Sequence, residues 1–210
     1  MLPKHQVIQH LLEQKVVAVI RASHAEEAIE ISKAAISGGI TAIELTFTTP
    51  SVENVFKGLS AEQAVIGAGT VLDAETARIA ILFGAKFVVS PHYDEQIAKM
   101  CNRYAMPYLP GCMTIKEMNN AMEGGCDILK LFPANQFQPS IISAFKGPLP
   151  YTNFMPTGGI SLNNLEEWLD AGAVAVGIGS DLTKAYATGG EEAVRKLAEK
   201  YIEKSKGGKS

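Results

Sequence analysis

The chain has 210 residues, 47% of them hydrophobic and 20% charged, with a formal net charge of -3. This balance offers no basic surface to nucleic acid or an anionic membrane, and no apolar run approaches the roughly 20 residues of a membrane span. Cys101, Cys112 and Cys126 lack CxxC spacing and read as reduced thiols of a cytoplasmic protein, and Met1 to His5 lack the layout of a signal peptide.

Residues 3–14 place Val7, Ile8, Leu11 and Leu12 at helical spacing, which predicts a short amphipathic helix. Val16 to Ile20 is apolar and β-branched, a buried strand that ends at Arg21. Ser23 and Glu26 have capping-box spacing, and an apolar stripe from Ala25 to Ile36 predicts a helix closed by Gly38 and Gly39. The alternation then repeats. Strands are predicted over 41–45, 65–67, 86–89, 107–109, 128–131, 153–155 and 174–178. Helices follow them, opened in turn by Pro50-Ser51, Asp73, Asp94, Thr114, Ile141 and Ser161, with a last helix from about Glu191 to Lys204. Ser205 to Ser210 is a polar, glycine-rich tail expected to fray, which leaves one domain over 1–204.

Gly39, Gly84, Gly125 and Gly172 each stand just before a strand, at steps of 45, 41 and 47 residues, two strand–helix units per step. Eight buried strands, each followed by a helix, predict an α/β fold: a parallel (β/α)8 TIM barrel with a short N-terminal helix. An open doubly wound sheet is the fallback, and its first turn would lack the GxGxxG fingerprint.

Lys130 interrupts the apolar run Ile128 to Phe132. An ammonium group is costly to bury without a partner, and neutral buried amines form Schiff bases with carbonyl compounds. On the strand alone, a lysine that snorkels to solvent is an equal reading. Glu44 is a second charge in an apolar strand. Strand alternation puts Ala42 with Glu44 on one face and Ile128 with Lys130 on another. If both faces point inward, the two charges meet at the C-terminal end of the barrel, where the chemistry of this fold lies. A buried structural ion pair is the competing reading, and the fold-level rule favours the catalytic one. Thr157-Gly158-Gly159 and Gly177-Ile178-Gly179-Ser180 follow the seventh and eighth strands. Barrels bind phosphate there, on backbone N–H groups and a helix N-terminus. Taken singly, each is also what a tight turn with positive φ needs. The four histidines form no HxH or HxxxH pair, so no metal is expected, and neither is any other cofactor. His92 sits at a strand end, where a structural or surface role is at least as good a reading as contact with the site.

Glu44-Leu-Thr, Gly67-Ala-Gly-Thr70-Val, Ser90-Pro91, Lys130-Leu-Phe-Pro133-Ala, Pro156-Thr-Gly-Gly-Ile-Ser161 and Gly177-Ile-Gly-Ser180 occur in one order and spacing over about residues 5–200. Together they resemble the 2-keto-3-deoxy-6-phosphogluconate (KDPG) aldolase family, also called 4-hydroxy-2-oxoglutarate (KHG) aldolase. The resemblance implies a class I, metal-independent lyase of carbohydrate metabolism, usually a homotrimer, acting on a phosphorylated 2-keto acid. By it, Lys130 is the Schiff-base lysine and Glu44 the general acid/base. Thr70, Pro91, Phe132 and Thr157 line the pocket, while Gly158, Gly159, Gly179 and Ser180 hold phosphate. Many members carry an arginine where Thr48 stands, which turns the substrate carboxylate over to Arg21, Thr70 and backbone donors. The 6-phosphogalactonate aldolase, a phosphosugar isomerase or epimerase, and a non-catalytic phosphosugar-binding barrel are the alternatives.

Overall fold

In the computed structural model, which describes residues 2–207, every strand pairing is parallel. Six strands form one sheet: β1 (Val16–Ile20), β2 (Ala42–Thr46), β3 (Val65–Gly69), β4 (Val88–Val89), β5 (Tyr108–Leu109) and β9 (Val176–Ile178), in the order β5-β4-β3-β2-β1-β9. Three more, β6 (Gly111–Cys112), β7 (Leu129–Leu131) and β8 (Phe154–Pro156), form a second sheet. The predicted fifth strand, 107–109, is β5, and β6 follows it past Pro110 as a segment the sequence did not predict. Pro110 has no N–H to offer a ladder, so pairing breaks there. β5 pairs with β4 and β6 with β7. The Pro110 carbonyl still accepts from Lys130 N–H at 2.9 Å, and Gly111 N–H donates to Ser90 at 3.0 Å. An isolated parallel bridge, Thr157 to Gly177, links β8 to β9. The result is an α/β fold built on curled parallel sheets.

The helices are α1 (Pro3–Gln14), α2 (Ala25–Ser37), α3 (Val52–Gly58), α4 (Ala74–Leu82), α5 (Glu95–Arg103), α6 (Ile115–Glu123), α7 (Ile141–Lys146), α8 (Leu165–Asp170) and α9 (Ser180–Lys206). Asp73, Asp94 and Thr114 cap as expected, each accepting a backbone N–H three residues on. Two caps shift. His24 rather than Ser23 caps α2, while the Ser23 hydroxyl binds Glu27. Asn164 rather than Ser161 stands at the start of α8. α9 begins at Ser180, about three turns ahead of the expected start, with a break at Gly189 and Gly190. It continues through Lys206 with Ser205 buried, so the helix outlasts the expected boundary at 204. Residues 208–210 of the expected tail lie outside the described residues. Gly39, Gly84, Gly125 and Gly172, the recurring glycines, all have positive φ, between +79° and +101°.

The concave face of the sheets follows strand alternation. Its deep layer includes Val17, Ala42, Phe87, Leu109, Ile128 and Met155, packed with Leu11 of α1. Burying a side chain of this size contributes about 1.5–3 kcal/mol. α1 lies across the N-terminal ends of the strands. Thr41 N–H donates to Gln14 at 3.2 Å, just before β2, and Lys4 pairs with Asp127 at 2.8 Å, just before β7. That end is closed, and the residues two further along each strand belong to the open end.

Candidate active site

Two residues beyond Ala42 is Glu44, and two beyond Ile128 is Lys130. Glu44 is fully buried and Lys130 is 5% exposed. Lys130 Nζ stands 3.5 Å from Glu44 Oε1. This is an ion-pair distance without hydrogen-bond alignment, for both Glu44 oxygens lack a hydrogen-bond partner. A buried carboxylate with unused lone pairs is costly unless something else uses them. The neighbouring strand leaves the room: a Cβ at Gly69 would lie 2.7 Å from the Glu44 carboxyl carbon. On the other side, Lys130 Nζ lies 4.9 Å from the centroid of the Phe132 ring.

Phe132 also lines a cavity of about 540 Å3 at the open end. Its walls include Arg21, Thr157, Gly158, Gly159, Gly179 and Ser180. With Phe132, these come from the C-terminal ends of β1, β7, β8 and β9, further along than the buried layer. Small residues keep it hollow: a Cβ at Gly177 would lie 2.9 Å from Thr157 Cγ2. Gly158 and Gly159 have φ of +96° and +77°, which L side chains rarely adopt. So the glycine turn needs its glycines for backbone reasons and borders a cavity as well.

The expected residues thus fall into two groups joined by Phe132. Arg21 belongs to the glycine-walled group. Thr48, Thr70 and Pro91 stand at the exits of β2, β3 and β4 and do not line that cavity. Thr48 donates to Thr46 at 3.1 Å, next along the strand face from Glu44. Thr70 holds φ +57°, a strained conformation for a β-branched residue, of order 1–3 kcal/mol. His92 is exposed, and its carbonyl, rather than its ring, accepts from Tyr108 at 3.1 Å.

Sequence reasoning missed Asn164, Thr183 and Lys184. Asn164 donates to the Gly159 carbonyl at 2.9 Å and accepts from Ser161 N–H at 2.9 Å, which fixes the glycine turn. Its signal was the asparagine pair after Ser161, a common turn composition. Thr183 and Lys184 line the cavity from the first turns of α9.

A family model described as KDPG and KHG aldolase matches residues 7–197. A 2-dehydro-3-deoxy-phosphogluconate aldolase of Pseudomonas aeruginosa is 35% identical over 197 residues, 91% of this chain and 90% of that protein. A 2-dehydro-3-deoxy-6-phosphogalactonate aldolase of Escherichia coli is 34% identical over 173 residues, 80% and 84% of the two chains. Among solved structures, the KDPG aldolase of Legionella pneumophila, with pyruvate captured at low pH as a covalent carbinolamine intermediate, superposes with a TM-score of 0.83. It is 26% identical, over 95% of this chain and 97% of that one.

Proposed function

Because this chain belongs to the KDPG and KHG aldolase family, we propose that it is a carbon–carbon lyase cleaving 2-keto-3-deoxy-6-phosphogluconate to pyruvate and glyceraldehyde 3-phosphate, with 4-hydroxy-2-oxoglutarate as a second substrate. The observation that carries this reading is the buried Lys130–Glu44 pair at 3.5 Å, with both carboxylate oxygens free of hydrogen bonds. The pyruvate carbinolamine of the Legionella pneumophila relative supports an amine as the nucleophile.

Lys130 Nζ attacks the C2 ketone, and loss of water from the carbinolamine leaves a protonated imine. Glu44 takes the proton of the C4 hydroxyl. The C3–C4 bond breaks, its electron pair flows into the imine, and glyceraldehyde 3-phosphate departs. The enamine then recovers a proton at C3 from Glu44, and water releases pyruvate from Lys130. The carboxylate has to come within about 3 Å of the protons it moves, directly or through one water. Phe132 covers the amine and excludes solvent. The glycine-walled cavity holds the distal phosphate on Gly158, Gly159, Gly179 and Ser180, and its distance from the lysine turns remote binding into orientation. Arg21, which lines this cavity, serves the phosphate, and the carboxylate falls to Thr70 and the Thr46–Thr48 cluster, with Pro91 lining the pocket.

We read the two sheets as one closed eight-stranded barrel within a single domain that extends through the end of α9 at Lys206. The Pro110 carbonyl and the Thr157–Gly177 bridge support closure at the two seams. A homotrimer is supported by the stripe Leu72, Ile79, Leu82 and Phe83 on and beside α4. All four are exposed, and Phe83 stacks on Phe47. Sedimentation of Leu82→Glu against the unaltered protein tests it, and a monomeric unaltered protein would overturn it.

Incubation with pyruvate and borohydride tests the chemistry. Mass spectrometry should find one pyruvyl adduct, mapped to Lys130; no adduct, or one elsewhere, removes the Schiff-base mechanism. The phosphogalactonate epimer is the second reading, supported by the Escherichia coli relative, and paired kinetics with both epimers decide between them.

A further inference from the structure

α9 presents one face to the glycine-walled cavity. Ser180, Thr183 and Lys184 stand at positions i, i+3 and i+4, and all three line it. The residues between them point elsewhere: Leu182 is fully buried, and Asp181 accepts from the Tyr201 hydroxyl at 2.8 Å. That bond occupies the acid closest in sequence to Lys184. Helical Cα–Cβ bonds tilt toward the helix N-terminus, so the Lys184 side chain leans back over Ser180 and the unpaired N–H groups of the first turn. Arg21, at the end of the adjoining strand β1, lines the same cavity; it stands two residues past Val19, whose carbonyl would lie 2.9 Å from a Cβ at Gly179. Among the described residues neither the Lys184 amine nor the Arg21 guanidinium has an ion-pair partner.

We propose that Lys184 is a phosphate ligand, closing with Arg21 on a phosphate monoester dianion seated against the glycine turns. This assignment rests on the aldolase reading and adds a charged residue to it. Glycine N–H groups and a helix terminus supply only partial charges, which bind a monoanion and a dianion with modest preference. Two full cations lining one cavity match a dianion in charge. The consequence is selectivity for substrates carrying a terminal phosphate in its doubly ionised form.

The test has two independent arms. Binding of inorganic phosphate and of glyceraldehyde 3-phosphate is measured by calorimetry for the unaltered protein, Lys184→Ala and Lys184→Arg. Lys184→Ala should weaken both roughly five- to tenfold, a charge-assisted contact discounted for its exposure, and Lys184→Arg should restore most of it. The deficit should shrink below about pH 6, where a phosphate monoester loses its second charge. A merely structural lysine would not follow the ligand's titration. Equal binding by Lys184→Ala, or a deficit independent of pH, overturns the proposal. The second arm is the rate of borohydride trapping with pyruvate, which carries no phosphate. Lys184→Ala should trap at the unaltered rate, and a parallel loss of trapping would show general damage and overturn the assignment. If the unaltered protein traps no pyruvate, the aldolase reading fails, while the phosphate measurement still decides the role of Lys184.

Discussion

Gly69 makes room for Glu44: a Cβ at position 69 would overlap Oε1 and lie 2.7 Å from the carboxyl carbon. Gly69→Ala should therefore push the carboxylate away from Lys130. Overpacking of this kind costs about 1–3 kcal/mol, and kcat/KM should fall at least about tenfold, since small misplacements of reacting groups are expensive. Gly84→Ala is the control. It has φ +97° but nothing within 4 Å of its Cβ, so it should lose some stability and no turnover. Equal activity losses in the two variants would show that the space beside Glu44 is irrelevant.

Lys130 and Glu44 should behave as a coupled pair in unfolding as well as in catalysis. Lys130→Met leaves a buried carboxylate without its counter-ion, a loss of about 3–5 kcal/mol. Adding Glu44→Met should recover most of that, giving an inactive protein close to the unaltered one in urea. Glu44→Gln alone should still trap pyruvate, with turnover down by roughly 10²–10⁴. Additive stability losses in the double variant would mean that the two side chains do not interact.

Asn164 ties the glycine turn with two hydrogen bonds, one given and one taken. Asn164→Ala should cost about 1–2 kcal/mol and raise KM for the phosphorylated substrate several-fold. Pyruvate trapping should be untouched. A loss of trapping equal to the loss in KM would place Asn164 in the fold rather than in the turn.

Stability should decline in base. Burial pushes the thiols of Cys101, Cys112 and Cys126 from the ordinary 9.0 up to about 12, and burial also raises Tyr108 and Tyr201. The folded state holds these protons after the unfolded chain has released them. Their contribution is therefore complete below about pH 9 and disappears as pH rises through about 12. Urea midpoints at pH 7, 9 and 10.5 should fall in that order. The triple Cys→Ala variant should flatten the slope, and an unchanged slope would exclude the thiols. At neutral pH none of the three should react with iodoacetamide before unfolding.

Lys130 and Glu44 were legible because a lone charge in an apolar strand contradicts its surroundings, and alternation alone puts each on the face of a known neighbour. The glycine pairs were legible for a similar reason, as small residues at consecutive strand exits. What escaped was what lies off the strands. Gly189 and Gly190 split α9, and the piece from Ser180 to Thr188 is too short for its apolar pattern to stand out, so Thr183 and Lys184 went unseen. The short strand beyond Pro110, Gly111–Cys112, was not expected, because it pairs with a different neighbour from the strand before the proline. The Ser161 and Ser23 caps each sat close to the true cap because several polar residues compete there and only the folded backbone chooses. Arg21 was placed by its strand, but which substrate group it meets depends on the cavity its neighbours leave.

α1 closes the end of the strands opposite the site, and that gives the reaction a single doorway. Lys130 sits deep, while Arg21 and Lys184 stand exposed at the entrance. By the proposed mechanism pyruvate, tethered at the far end, is the last to go; the phosphorylated aldehyde occupies the way out and departs first. In the synthetic direction the queue reverses, with pyruvate entering ahead of the aldehyde. An excess of phosphorylated aldehyde should then jam the passage, inhibiting synthesis in competition with pyruvate, with no regulatory site required.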